Sequence, residues 1–166
     1  IFSIATAFHN LMNSVPRAVN TLLIGEATKL NNSKKIFTLL QTSRFLNSIL
    51  LLVSFFGIIL VGYIIDYFYG KEFIESIIPA KIMIFCAILT SNITTFQSYL
   101  LANNQPLRVS GINLINMIMS ICFVFLLTKF FNINGIALSF LISKFLIMLY
   151  MLRLLKKNKI YTNLID

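Results

Sequence analysis

Acid is what this chain lacks most. Five carboxylate side chains stand against fourteen lysines and arginines in 166 residues. Asp66, Glu72 and Glu75 gather near one turn, Glu26 stands alone and Asp166 ends the chain, so no paired carboxylates for acid–base work can be assembled. A single histidine, His9, excludes histidine-cluster chemistry. The two cysteines, Cys86 and Cys122, both fall inside apolar runs, which leaves no disulfide framework and no metal knuckle and reads as packing. There is no phosphate-binding glycine loop, nucleophile elbow or zinc motif. No cofactor or metal is expected, and the chain does not read as an enzyme.

Charge of either sign is scarce as well, at 11% of residues against 58% hydrophobic. A soluble domain of this length has no need of so much apolar surface, whereas a membrane span needs about 20 apolar residues to cross a core about 30 Å thick. Five runs of that kind are present, at 2–25, 45–66, 76–102, 109–129 and 134–154, separated by short polar stretches. The fold expected is therefore an all-α integral membrane protein, a polytopic transmembrane helix bundle, with 1–166 forming a single transmembrane domain. The first run carries His9, Asn10, Asn13 and Arg17 and lacks a basic leader and a cleavage site, so it is no signal peptide. Because the chain opens on Ile1 and enters that run at once, it is expected to be the C-terminal part of a longer protein.

The cations set an expected orientation. Lys29, Lys34, Lys35, Arg44, Arg108, Arg153, Lys156, Lys157 and Lys159 fall in one set of connections, and only Lys71 and Lys129 in the alternate set. By the positive-inside rule the 26–44 loop, the 103–108 turn and the tail 155–166 are cytoplasmic, and the 67–75 and 130–133 turns face outward. The net charge of +9 then reflects topology and contact with anionic lipid headgroups. Nucleic acid is not a partner on this reading, since the basic residues are divided among membrane-edge clusters.

Three cations remain inside the runs: Arg17, Lys81 and Lys144. A charge within a span is costly and faces a bundle interior or a watery cavity, which marks a route or site for something polar. On a helical wheel Thr6, His9, Asn10, Asn13, Arg17, Asn20 and Thr21 occupy one third of the first span, and Pro16 is expected to kink it beside Arg17. Lys81, Asn92, Thr95 and Tyr99 share a face of the third span, although Lys81 also lies near enough to the boundary to snorkel. Asn113, Asn116 and Ser120 line the fourth span, and Lys144 lies deep in the fifth without an acidic partner. The candidate cavity residues are thus Arg17, Lys144, Asn10, Asn13, Asn20, Lys81, Asn92 and Asn116. The competing reading makes the asparagines interhelical packing glue.

Four segments carry a family resemblance: Pro16 to Lys35, a proline-containing span leading to a basic loop; Tyr69-Gly70-Lys71-Glu72-Phe73; Leu101-Ala102-Asn103-Asn104-Gln105-Pro106-Leu107-Arg108; and Asn134-Gly135-Ile136-Ala137-Leu138-Ser139. Together they resemble the C-terminal lobe of polysaccharide flippases of the Wzx type, in the multidrug/oligosaccharidyl-lipid/polysaccharide (MOP) exporter superfamily. The resemblance implies a two-lobe transporter of the bacterial inner membrane, with this chain forming most of the C-terminal lobe and a missing N-terminal lobe as its partner. It implies export of undecaprenyl-pyrophosphate-linked oligosaccharide by alternating access, for O-antigen or capsule biosynthesis, with cavity cations meeting the pyrophosphate. Rival readings are a multidrug-cation antiporter of the same superfamily, a membrane polysaccharide polymerase, and a structural membrane protein.

Overall fold

The computed structural model describes residues 2–27 and 32–157. Among these everything is helical except Gly70 and residues 103–105. Four helices follow in order: α1 (Phe2–Ala27), α2 (Asn32–Tyr69), α3 (Ile77–Ala102) and α4 (Pro106–Lys157), with a 3-10 turn at Lys71–Ser76 between α2 and α3. A helical bundle with no strand among the described residues agrees with the expected fold class.

Three stretches are long and apolar enough to cross a membrane: Phe45–Tyr69, Lys71–Ala102 and Pro106–Leu154. The expected first span is helical, but its polar stripe keeps α1 below that apolarity. The third stretch contains both the 109–129 and 134–154 runs. At about 1.5 Å per residue the 52 residues of α4 would reach about 78 Å if straight, more than twice a bilayer core. They do not run straight. Asn132 leaves the helical region (φ 48°, ψ −128°), and the Ser120 hydroxyl donates to the Ser143 Oγ at 2.9 Å although 23 residues separate them. That bond requires the chain to reverse, so α4 is a helical hairpin with arms 106–131 and 133–157.

Two boundaries differ from expectation. Residues 32–44, expected within a loop, extend α2 as helix, and the 67–75 turn is divided between the last turn of α2 and the 3-10 segment. Gly70 supplies the reversal with φ 86°, which a side chain would resist. The 26–44 loop at 28–31 and the tail 155–166 from 158 onward lie outside the described residues.

Bond spacings fix how the helices run. His9 pairs with Met83 and Asn20 with Thr94, each 74 residues apart, so α1 and α3 are parallel and in constant register. Asn47 meets Asn92, and Gly57 faces Ile84, so α2 is antiparallel to α3. Gln97 to Asn113 sets the first arm of α4 antiparallel to α3 as well. Helix α3 is the hub, packed against α1, α2 and α4.

Small side chains allow this closeness. Ala80, Ala87, Ser91, Ala137, Ser139 and Ser143 are all buried to 1% exposure or less, the composition expected where helices associate without a hydrophobic drive between them. One apolar cluster joins all four helices through Ile4, Val61, Ile65, Ile84 and Ala137. A second joins α3 to both arms of α4 through Ile93, Leu100, Ile112 and Ile147. The outer faces are apolar: Leu52, Phe55, Phe56 and Ile59 of α2 are more than half-exposed. Such a patch is unfavourable in water and ordinary against lipid.

Candidate functional site

Helix α1 resolves its polar stripe into two halves centred about 70° apart. One half packs on α3. The His9 Nδ1–H donates to the Met83 carbonyl at 3.1 Å, and the Asn13 amide donates to its own helix at His9 O (3.0 Å) while lying 3.2 Å from His9 Nε2. Asn20 donates to Thr94 Oγ1 at 3.1 Å and accepts from the Thr95 hydroxyl at 3.3 Å. Asn13 and Asn20 are buried, so both serve interhelical packing. The other half, Thr6, Asn10, Arg17 and Thr21, stands at the edge of the bundle, with Asn10 and Arg17 exposed. Pro16 is buried at the α3 face, and α1 continues through it without a break in the helix.

The register then locates the cations. The offset of 74 carries Arg17 to the level of Ser91 on α3. Counting down the first arm of α4 from the Gln97–Asn113 bond, and back along the second from Ser120–Ser143, carries Lys144 to that same level. Arg17 and Lys144 therefore lie in one layer, on two helices that both pack on the hub, and their charges act on each other and on His9. Lys144 is half-buried, with the Cys86 thiol close by. No carboxylate pairs with either cation among the described residues. Ser91 of α3 is at the same level, 1% exposed, with its Oγ making no hydrogen bond.

The remaining candidates scatter. Asn116 lies near this layer on the first arm of α4, half-buried, with its carbonyl oxygen shielded and unbonded. Asn92 is level with the cations but faces α2, accepting from the Asn47 amide at 2.6 Å and donating to Ile88 O. Lys81 is exposed and ten residues from Ser91 along α3, about 15 Å away, so it does not join the pair.

No protein-family model, curated protein or solved structure matches this chain. The chemistry of the layer is the guide that remains. On insertion scales each central cation costs about 2.5–3.5 kcal/mol in a bilayer, hence roughly 5–7 kcal/mol for two, and like charges at one depth add to it. An anion between them offsets that cost. The guanidinium offers a planar fork for two phosphate oxygens and the ammonium a compact point charge.

Proposed function

We propose that this chain forms most of the C-terminal lobe of a Wzx-type flippase of the MOP exporter superfamily. It carries undecaprenyl-pyrophosphate-linked oligosaccharide across the bacterial inner membrane. The carrying observation is the single layer that holds Arg17 and Lys144 from helices distant in sequence, without a carboxylate partner among the described residues. A pyrophosphate has the charge and size to bridge such a pair, while its polyprenyl tail stays in lipid. Asn116 provides an amide group near the same layer for sugar hydroxyls, and Asn10 another two turns, about 10.5 Å, along α1 on the same face as Arg17. The helices cross five times on this reading, with α1 accepted in the membrane because α3 and the bound headgroup meet its polar stripe. Alternating access follows from rocking of this lobe against its N-terminal partner about the bound headgroup.

A cation antiporter is less well supported, since a cationic drug needs an embedded acid and the layer holds two bases. The test expresses the complete gene in cells lacking their own flippase and compares Arg17→Ala and Lys144→Ala at equal membrane abundance. Surface polysaccharide restored by the parent and lost in both variants supports the reading. Full restoration by both variants removes the cations from the site, and failure of the parent in matched glycan backgrounds favours the antiporter.

A further inference from the structure

The Tyr69 end of α2 holds a second polar feature, remote from the cation layer. Leu52, Phe56, Ile59, Tyr63 and Asp66 recur at spacings of three and four and are all exposed, while Leu50, Ser54, Val61 and Ile65 on the opposite face are buried against the bundle. An apolar stripe that faces away from every other helix thus ends in a carboxylate. Around it lies a shallow recess of about 640 Å³ lined by Tyr63, Asp66, Tyr67, Phe68, Gly70 and Lys71. Tyr63 and Tyr67 are one turn apart and 75% and 85% exposed. Tyr67 and Phe68 meet edge to face at 5.1 Å. Gly70, with φ 86° and nothing within 4 Å of where a Cβ would stand, turns the chain and brings Lys71 to the rim without filling the space.

We propose that this recess binds the headgroup of a phospholipid that carries a primary ammonium beside its phosphate. The acyl chains lie along Leu52, Phe56 and Ile59, the stripe that faces away from the bundle. Asp66 accepts hydrogen bonds from the ammonium, the faces of Tyr63 and Tyr67 add cation–π attraction, and Lys71 meets the phosphate. Other headgroups fit less well. A trimethylammonium has no N–H to donate to Asp66. An anionic headgroup meets Asp66, Glu72 and Glu75, all exposed at this end, with Lys71 as the one cation lining the recess. Bare aromatic-belt anchoring, in which tyrosines sit at the interface for any lipid, predicts no such discrimination.

Native mass spectrometry of the purified chain, released from detergent with equal amounts of phosphatidylethanolamine, phosphatidylcholine and phosphatidylglycerol, reads the preference directly. The expected result is an ethanolamine adduct about tenfold above the choline adduct, the equivalent of about 1.4 kcal/mol, with glycerol lowest. Asp66→Asn brings ethanolamine down to the choline level, and Asp66→Glu keeps the preference. Because Asp66 is exposed, an unchanged gel-filtration profile separates lost binding from lost folding. Equal adducts from all three lipids, a lead for phosphatidylglycerol, or an Asp66→Asn variant that still selects ethanolamine would each overturn the proposal.

Discussion

At Gly135 the two arms of α4 approach closely, and replacing it with alanine tests the hairpin directly. A Cβ at this position stands 2.3 Å from the Leu127 carbonyl oxygen, 2.6 Å from its carbon and 2.9 Å from the Thr128 nitrogen. All three are backbone atoms, so no side-chain rotation gives relief. Ordinary contact begins near 3.5 Å, so the arms must part by about 1 Å. Overpacking of this kind costs about 1–3 kcal/mol, and a backbone clash belongs at the upper end, which shifts the unfolding equilibrium about a hundredfold. Reversible unfolding in mixed micelles with rising SDS measures the change. Disulfide formation between Ser120→Cys and Ser143→Cys, in a Cys122→Ser background, reports arm contact separately and should slow markedly when Gly135→Ala is added. Gly57→Ala is the control: its Cβ meets the terminal methyl of Met12 at 3.0 Å, which can swing away, and Ile84 side-chain carbons at 3.6 and 3.9 Å in ordinary contact, so the change stays under about 0.5 kcal/mol. Parent-like stability and crosslinking in Gly135→Ala, or an equal loss from Gly57→Ala, refutes the reasoning.

Asn132→Gly removes a side chain from a conformation that non-glycine residues seldom adopt and is expected to stabilise the protein by about 1 kcal/mol in the same unfolding assay. Asn20→Ala breaks two bonds to α3 and lowers stability by about 1 kcal/mol, whereas Arg17→Ala, at an exposed position, leaves stability within about 0.5 kcal/mol and removes transport. That split separates packing from site. Lys144→Glu places a carboxylate in the layer of Arg17, and is expected to raise thermal stability by up to about 1 kcal/mol while abolishing glycan export; unchanged or lower stability argues against the shared layer.

The apolar runs made the helices legible, because membrane spans declare themselves by length. The runs 109–129 and 134–154 were expected on either side of a turn at 130–133, and Asn132, where the helical segment folds back on itself, lies within it; that helix continues up to Asn132 from both sides leaves no mark on a hydropathy profile. The basic stretch 32–44 read as loop because charge pattern speaks to location and says little about helicity. The polar stripe of α1 was equally visible, but a wheel cannot tell which edge a neighbour covers. A rotation of about 60° separates Asn20, bonded twice to α3, from Arg17, left open. Arg17 and Lys144 were chosen one at a time for depth. Their common layer depends on three interhelical registers, and no single segment encodes it.

The uniform 74-residue offset between α1 and α3 bears on how the protein is made. His9 and Asn20 find their partners, Met83, Thr94 and Thr95, on a helix that has not yet been synthesised when α1 leaves the ribosome. At about 5–20 residues per second the wait lasts roughly 4–15 s. During that interval a helix bearing Arg17 and unsatisfied amides has to be held at the insertion machinery or by a chaperone, because lipid alone is a poor host for it. Slowing translation between codons 28 and 76 would lengthen that exposure and cast α1 as the segment on which biogenesis fails.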